Sequence, residues 1–304
     1  LDEVTLGRLV APYGLSVDDA EFVGLSQNYV YRFRVGEQSR IVRVSVGRHR
    51  DIAQIEAELA WVRDLKQQGV RACGSIPSEG GDWCREMVID GVTYLITCFD
   101  HAPGTLLERG KADEVSFEKL GALVGQLHSA VASGDGSFAK YHRPLWNESR
   151  LLRQDFDENS EFVCGELKSG VNRIISELEE LPKTRESYGL IHGDISFGNV
   201  FESADELWLI DFDNCEYGYF LQDLAVVLYD GIYYKALIEF PDEELSKVMK
   251  RYWQPLLKGY FKTSPLQWID VSALKGFFLL REAVLYVHFY RVFDSTQMDA
   301  RFHE

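Results

Sequence analysis

The segment 190–213 constrains this chain more tightly than any other part of its sequence. An apolar stretch runs directly into the motif HGDISFGN, and a second apolar stretch, LWLI, ends at Asp211. Short apolar stretches that end in polar residues are typical of buried strands followed by loops. An aspartate on such a loop, here Asp194, can accept the proton of a hydroxyl group, while an asparagine five positions later, Asn199, offers a neutral oxygen to a magnesium ion. The segment therefore predicts two strands with acid–base and metal-binding side chains at their ends.

The spacing within this segment also predicts how the two strands meet. If Ser203 to Glu206 form the turn of a hairpin, symmetric antiparallel pairing sets Asn199 opposite Ile210. Asp211 then follows one residue later on the same end of the hairpin. The two candidate magnesium ligands are expected to converge there.

Two strand-like segments, 28–35 and 39–46, lie near the start of the chain. Both are rich in β-branched and aromatic residues. Gly36 and Glu37 between them predict a hairpin turn, so an antiparallel pair is expected.

A helix and two further strands are predicted before residue 101. Residues 51–68 have helical periodicity, and Gly69 stands where a C-terminal glycine cap is expected. Strands are predicted at 83–89 and 92–99. From the motif HAPG at 101–104 onward the pattern becomes mainly helical, with long helical stretches at 117–131, at 162–181 and from 221 to the end.

The strand at 39–46 and the following helix each point one charged residue inward. Alternation along the strand sets Val42 and Val44 on one face and Arg43 on the other. On the helix, Glu58 falls inside the apolar stripe, whereas Glu56 does not. An Arg43–Glu58 pair is therefore expected, similar to the strand-lysine and helix-glutamate pair that holds nucleotide phosphates in kinases.

These motifs resemble those of the aminoglycoside phosphotransferase and choline kinase superfamily, nearest the homoserine-kinase-like and hydroxylysine-kinase-like branch. The resemblance rests on HGDxxxxN, on the IDF that contains Asp211, on QDLA at 222–225, on the LG and LH pairs at 120–128, and on HAPG. It implies an α+β, bilobal protein-kinase-like fold. A small N-terminal lobe, 1–100, would combine an antiparallel sheet with one helix and bind the nucleotide, and a larger, mainly helical C-terminal lobe, 101–304, would carry the catalytic loop and substrate site.

The resemblance also implies roles for individual residues. Asp194 would be the catalytic base, Asn199 and Asp211 would bind Mg²⁺, and Asp223 would orient the catalytic loop. ATP or GTP would be the co-substrate, and a hydroxyl would receive its terminal phosphate.

The nucleotide contacts expected from the resemblance depart from the kinase pattern in two ways. Arginine replaces lysine on the strand, and the phosphate-covering loop at 24–28 has no GxGxxG motif. The stretch 97–100 is expected to be the hinge that meets adenine. The residues predicted to contact the nucleotide are Arg43, Glu58, Ser26, Asn28, Thr97 and Phe99.

Composition limits the partners of this chain. Its 304 residues carry a formal net charge of -16, which argues against nucleic-acid binding but permits cationic substrates. The sequence has no apolar run of membrane-spanning length, and its first residues lack the pattern of a secretory signal. Five cysteines without a CxxC pair fit reduced thiols. A cytoplasmic protein with a small-molecule acceptor, no nucleic acid and no membrane partner is expected, and its oligomeric state is open.

Several functional alternatives remain open from the sequence. The favoured acceptor is a small, amine-bearing molecule: an amino alcohol, a hydroxy amino acid or an aminoglycoside. A serine/threonine protein kinase of the same fold and a non-catalytic nucleotide-binding protein are the competing hypotheses.

Other residues of the segment 190–213 and of the C-terminal helices are weaker candidates for the functional site. Asp213 is more often structural than metal-binding in such a position, and His192 is expected to hydrogen-bond within its loop. Aromatic residues such as Tyr229 and Tyr233 could hold an ammonium group, although aromatics at helical spacing usually belong to a core. Candidates that interrupt the apolar pattern near the C-terminus and could face the substrate are Arg281, Glu282 and His288.

Overall fold

Two compact units make up the part of the chain that the computed structural model describes, namely residues 1–25, 27–46, 50–134, 140–148, 152, 163–240, 243–264 and 269–292. The first unit contains Leu1–Leu106, Ala139–Arg143 and Asn199–Asp213. The second contains Leu107–Phe138, Pro144–Gly198 and Asn214–Glu304. Neither unit is a single continuous stretch of sequence.

An antiparallel sheet forms the centre of the first unit. Its strand order is β1-β2-β3-β6-β4, and β5 also pairs with β6. The strands are β1 (Ala20–Leu25), β2 (Tyr29–Val35), β3 (Gln38–Val46), β4 (Ser75–Ile76), β5 (Arg85–Ile89) and β6 (Val92–Asp100).

The hairpin between β2 and β3 forms because its turn and its alternation agree. Val35 pairs with Gln38 across the turn, and Gly36 adopts a φ of +64°, which glycine accommodates without a Cβ clash. Val42 and Val44 are fully buried in one apolar cluster. Arg43 points to the opposite face, as its alternation predicts.

Helix α2 (Ile52–Gln67) packs Ile55 and Leu59 of its apolar stripe against Leu95 of β6. Asp51 caps it by accepting a hydrogen bond from Gln54 N at 2.7 Å. Gly69, with φ +86°, follows its C-terminus. Glu58 lies on the buried face, so the inward position predicted for this glutamate is confirmed.

A second, small sheet in the first unit has the order β10-β9-β7, made of β7 (Thr105–Leu106), β9 (Val200–Ser203) and β10 (Glu206–Leu209). Ser203 pairs with Glu206 across the turn, and the register continues to Val200 opposite Leu209. Ile210 N then donates to Asn199 O at 3.0 Å. The predicted hairpin register is therefore confirmed.

Helices dominate the second unit. Among the described residues they are α3 (Glu114–Ser133), α4 (Gly165–Glu179), α5 (Phe220–Tyr234), α6 (Leu245–Thr263) and α7 (Leu274–Val292). The two-stranded pair β8 (Tyr188–Ile191) and β11 (Glu216–Tyr219) is antiparallel. Helices α3 and α6 approach closely because Gly121 and Gly259 face the partner backbone, where a Cβ would lie within 2 Å of a carbonyl oxygen.

The structure adds elements that the sequence pattern did not predict. Helix α1 (Glu3–Val10) packs Leu6, Leu9 and Val10 into the apolar cluster of the first sheet. Strand β1 includes Gly24 and Leu25, which the sequence assigned to a loop. Among the described residues, no helix has the length and apolar character needed to cross a membrane.

Candidate active site

Arg43 and Glu58 form a buried ion pair in the first unit. Arg43 Nη1 donates to Glu58 Oε1 at 3.0 Å and Nη2 donates to Oε2 at 2.8 Å, so the contact is bidentate. Arg43 is 6% exposed and Glu58 1%. Burial would lower the pKa of Arg43, but the Glu58 carboxylate outweighs burial and raises that pKa above its usual value. The guanidinium therefore stays charged away from water.

Asp211 lies near this pair, at the end of the β9–β10 hairpin. Arg43 Nη1 is 3.7 Å from Asp211 Oδ1, and about half of the Asp211 side chain is exposed. Asp211 has a φ of +58°, which is uncommon for a residue with a Cβ. Backbone strain of this kind concentrates at functional sites. Because Asn199 pairs with Ile210, the two predicted metal-binding residues lie at the same end of one hairpin.

Asp213 is enclosed by arginines. Arg50 Nε donates to its Oδ1 at 3.3 Å, and Arg50 Nη2 donates to its backbone oxygen at 3.0 Å. Arg143 donates to the same backbone oxygen and, at 3.1 Å, to the backbone oxygen of Gln54. Burial would raise the pKa of Asp213, but Arg43, Arg50 and Arg143 outweigh burial and hold it below its usual value. Asp213 therefore holds Arg50 and Arg143 by hydrogen bonds next to the end of the hairpin.

The chemistry of Asn199 and Asp211 suits a magnesium ion. Across the described ranges, no group of three or more His, Cys, Asp or Glu side chains is arranged to hold a metal. Mg²⁺ does not need such a cage, because it is usually bound by one or two protein oxygens together with substrate phosphates and water. An amide and a carboxylate at one hairpin end meet that need.

The remaining residues predicted to contact a nucleotide occupy different environments. Ser26 lies outside the described residues. Asn28 precedes β2, and its Oδ1 accepts a hydrogen bond from Ser45 Oγ at 2.6 Å. Thr97 is buried on β6, where its Oγ1 donates to Arg43 O at 3.5 Å. The Phe99 ring lies under the Arg43 guanidinium, with 5.2 Å between the guanidinium carbon and the ring centroid.

The position of Thr97 and Phe99 within the sheet bears on the predicted hinge. Thr97 pairs with Arg43 of β3, and Phe99 pairs with both Ile41 of β3 and Ser75 of β4. Their backbone groups are therefore part of the sheet. A backbone contact to a nucleotide base would fall at the end of β6 or beyond it, and contacts from Thr97 and Phe99 themselves stay a prediction.

The loop after β8, in the second unit, carries Asp194. Its second residue, Gly193, has a φ of +78°, and a Cβ there would lie 2.5 Å from Asn214 O, so the backbone leaves room only for glycine. His192 is fully buried, and its Nδ1 accepts a hydrogen bond from Asp194 N at 3.3 Å. His192 thus hydrogen-bonds within the loop, as expected.

Asp223 of α5 holds this loop in place. Its Oδ2 accepts from His192 N at 3.0 Å and its Oδ1 accepts from Gly193 N at 2.8 Å. The carboxylate is completely buried. The orienting contact expected for Asp223 is therefore present.

His128 of α3 completes the support of Asp223, and sequence reasoning assigned it no role. Its Nε2 is 3.2 Å from Asp223 Oδ2, and its Nδ1 is 2.8 Å from the Tyr260 hydroxyl. Its ring stacks on Phe220 with 4.3 Å between centroids. Burial lowers the pKa of His128 more than Asp223 raises it, so the imidazole stays neutral. The LH pair at 127–128 was the available sequence signal.

Asp230 supports the far end of the loop, and its role was also not predicted. Its Oδ2 accepts from Phe197 N at 2.9 Å. Arg109 Nη2 donates to both of its carboxylate oxygens, at 2.7 and 2.9 Å. Two aspartates of α5 therefore fix the backbone on either side of Asp194.

Arg281 of α7 contacts Asp194 directly. Its Nη2 donates to Asp194 Oδ1 at 2.7 Å. The sequence singled out Arg281 as an interruption of an apolar helix but did not predict this partner. Tyr229, which the sequence offered as a residue that could hold an ammonium group, packs against the aromatic rings of Tyr233 and Phe278.

A small pocket of the second unit, about 50 Å³, lies beside this contact. Gly193, Glu216, Gln222 and Arg281 line it together with apolar side chains of α5 and α7. Gln222 Nε2 donates to Glu216 Oε1 at 2.7 Å. Within the described ranges the buried Oε1 of Gln222 has no hydrogen-bond partner.

Together these features define a class of protein. One unit has a sheet, a buried arginine–glutamate pair and a hairpin that ends at Asn199 and Asp211, and the other is helical with an HGD loop. These are the parts of a kinase-like phosphotransferase. The model of the phosphotransferase enzyme family matches residues 20–256. The chain belongs to this family and is a kinase, with ATP as the co-substrate that this implies.

Individual relatives agree with this assignment. An amicoumacin kinase of Bacillus subtilis is 27% identical over 297 residues, which cover 96% of this chain and 86% of that protein. The solved structure of an amicoumacin kinase in complex with AMP-PNP, Ca²⁺ and Ami has a TM-score of 0.86 at 23% identity, covering 99% of this chain and 89% of that one. A microcompartment-associated aminopropanol kinase has a TM-score of 0.74 at 20% identity, with 97% and 91% covered. These structures confirm the predicted α+β kinase-like fold, and the superfamily resemblance is confirmed.

Proposed function

We propose that this kinase transfers the terminal phosphate of ATP to a hydroxyl of a small, amine-bearing molecule. The observation that carries the proposal is the pocket beside Gly193, the residue that precedes Asp194. Its lining includes two polar residues, the buried carboxylate Glu216 and the amide Gln222, and a carboxylate is an acceptor that suits an ammonium or amino group.

In the proposed mechanism Asp194 accepts the proton of the acceptor hydroxyl. Its carboxylate is partly exposed, and its loop is fixed through backbone hydrogen bonds to Asp223 and Asp230. Fixed groups lower the cost of bringing the hydroxyl into line with the phosphorus. Asp194 would thus orient the nucleophile as well as deprotonate it.

The first unit supplies the proposed nucleotide side of the reaction. Arg43, held by Glu58, presents a permanent positive charge to the phosphates. Asn199 and Asp211 would hold Mg²⁺. That ion, when bound, neutralises charge on the phosphate oxygens.

Three observations support an amine-bearing acceptor. Two relatives are named for kinases of amicoumacin and of aminopropanol. The net charge of -16 favours cationic ligands. The pocket is small, which suits a compact group better than the peptide of a serine/threonine protein kinase.

We further propose that the protein acts in the cytoplasm. Described cysteines are free thiols, and burial raises the pKa of Cys73, Cys84 and Cys98 to about 12. Protonated, buried thiols suit a reducing compartment in which ATP is available.

The test is a nucleotide-consumption screen with ATP and with GTP across amino alcohols, homoserine, hydroxylysine, choline and aminoglycosides. We expect magnesium-dependent turnover with at least one amine-bearing alcohol. Asp194→Asn should lose nearly all of this turnover but keep its affinity for magnesium nucleotide, because Asp194 acts on the hydroxyl. Asp211→Asn is the matched comparison, and it should weaken metal-dependent nucleotide binding instead.

Two results would contradict the proposed function. One is tight magnesium–nucleotide binding without turnover of any alcohol, which would favour a non-catalytic protein. The other is substantial residual turnover in Asp194→Asn, which would remove Asp194 from the role of base.

A further inference from the structure

Arg281 is a buried cation with unused hydrogen-bonding capacity next to Asp194. Its side chain is 12% exposed. Among the described residues its only hydrogen bond is the one from Nη2 to Asp194 Oδ1, and its buried Nε has no partner. A guanidinium carries several N–H donors in a rigid fork. Nη1, which makes no hydrogen bond to the described residues and is not among the buried unpaired atoms, therefore remains available to an anion.

The loop segment between Asp194 and Asn199 contains no lysine or arginine. Between Asp194 and Asn199 the residues are isoleucine, serine, phenylalanine and glycine. Phosphoryl transfer spreads negative charge over the non-bridging oxygens of the moving group, and enzymes stabilise that charge with fixed cations. Because the acceptor oxygen must lie against Asp194, a cation that contacts Asp194 also lies near the phosphorus that this oxygen attacks.

We propose that Arg281 is a catalytic residue that binds the transferring phosphoryl group. This inference rests on the proposed function. The acceptor oxygen forms a bond to the γ-phosphorus while the bond from that phosphorus to the β,γ-bridging oxygen breaks. The hydroxyl proton passes to the Asp194 carboxylate, and ADP leaves with the electron pair. Arg281 donates to Asp194 through Nη2 and to a non-bridging oxygen of the moving group through the rest of its fork.

Two other roles for Arg281 fit the observations less well. A purely structural ion pair would engage more of the fork of a buried arginine, since unpaired buried donors are costly. Arg281 also lines the pocket proposed for the amino group, and a direct contact with a cationic acceptor would be repulsive, so that group is expected at Glu216 rather than at Arg281. The unused donors point instead to an anion that arrives only with the substrates.

Arg281→Gln should lower kcat by about a hundredfold or more, which is the size of effect seen when one stabilising donor is removed. The KM values for nucleotide and acceptor should change little, since the contact forms as charge moves. Arg281→Lys should lose less, because it keeps the charge without the fork. Guanidinium ion at low concentration should restore part of the activity of Arg281→Ala.

The thio effect tests direct contact with the phosphoryl group. Wild-type enzyme should be much slower with ATPγS than with ATP, because sulfur is a weaker acceptor than oxygen, and this ratio should shrink in Arg281→Gln. Arg173→Gln is the matched control, since Arg173 is an exposed arginine on α4 of the same unit. It should leave kcat and the thio ratio unchanged.

Three outcomes would overturn the proposal. A raised acceptor KM with unchanged kcat would make Arg281 an acceptor-binding residue. An unchanged thio ratio in Arg281→Gln would make it a positioning residue for Asp194. Equal losses in the Lys and Gln variants, with lowered melting temperatures and no guanidinium rescue, would make it structural. These results require wild-type turnover, so they differ from failure of the proposed function, in which the wild-type enzyme itself turns over no alcohol.

Discussion

At Arg43 and Glu58, two opposite charges are almost completely removed from water. Each loses hydration worth several kcal/mol, and their attraction repays this only because the contact is bidentate. A buried ion pair is therefore weak evidence for stability. The position of Asp211, 3.7 Å from Arg43, gives the pair a second purpose, which is to fix a cation beside the predicted metal-binding residues.

Variants of Arg43 and Glu58 separate the effect of the pair on stability from its predicted effect on nucleotide binding. Glu58→Gln should destabilise the fold by about 3 kcal/mol or more, because it leaves the Arg43 charge buried and without its carboxylate. The double variant Arg43→Met with Glu58→Leu should recover much of that loss. Urea unfolding measures the stability of each variant.

Nucleotide binding should not recover with stability. We expect the double variant to bind magnesium ATP far more weakly than wild type, since the cation is gone. Arg71→Gln, which removes an exposed ion pair of the same unit, is the control and should alter neither property. A double variant that binds nucleotide normally would show that the pair is only structural.

At the scale of elements, helix α5 organises the catalytic loop. Its Asp223 accepts two backbone N–H groups of the loop, and Asp230 accepts a third. A helix is stiff compared with a loop, so these contacts transfer its rigidity to Asp194.

The free-energy cost of Asp223→Asn should be larger for kcat than for the free energy of unfolding. An amide nitrogen cannot accept a hydrogen bond, so one loop N–H loses its partner and the loop loses its fixed geometry. The loss of one charge-assisted hydrogen bond corresponds to roughly tenfold to a hundredfold in rate. Steady-state kinetics measure this loss, and circular dichroism melting reports the fold.

The control for this prediction is Asp113→Asn at the N-terminus of α3. Asparagine caps a helix about as well as aspartate, so the variant should behave like wild type. If Asp223→Asn retained full kcat, the loop would be held by its own sequence rather than by α5.

Local geometry explains which elements could be predicted from the sequence. The β9–β10 register followed from turn length, and the Arg43–Glu58 pair followed from strand and helix periods. The contact between Arg281 and Asp194 joins residues 87 positions apart, and no local pattern encodes it. The LH pair marked the position of His128, but its role was missed because its partners Asp223 and Tyr260 lie far along the chain.

For the whole molecule, sequence order and compact units do not coincide. The first unit takes in Ala139–Arg143 because Arg143 bonds to Gln54 and Asp213, and because Lys140 and Tyr141 both bond to Asp64. A short segment that packs with a unit distant in sequence does so through tertiary contacts, which local sequence patterns do not reveal. The assignment of nucleotide binding to 1–100 and substrate binding to 101–304 stays a prediction.

The burial of His128 predicts that the stability of the molecule depends on pH. Burial depresses the pKa of His128 in the folded state below its ordinary value of about 6.5. Between those two pKa values the unfolded chain binds more protons, so stability rises with pH there. The contribution is complete above about pH 6.5 and is lost as the pH falls below that value.

We therefore expect the free energy of unfolding of wild type to fall between about pH 7.5 and pH 5.5, by up to about 1.4 kcal/mol per pH unit from this group. His128→Gln should lower stability at the higher pH but flatten the decline, because glutamine does not titrate. His142→Gln, which changes an exposed histidine, should keep the wild-type slope. Urea unfolding at several pH values measures all three slopes, and equal slopes for His128→Gln and wild type would exclude His128 as their cause.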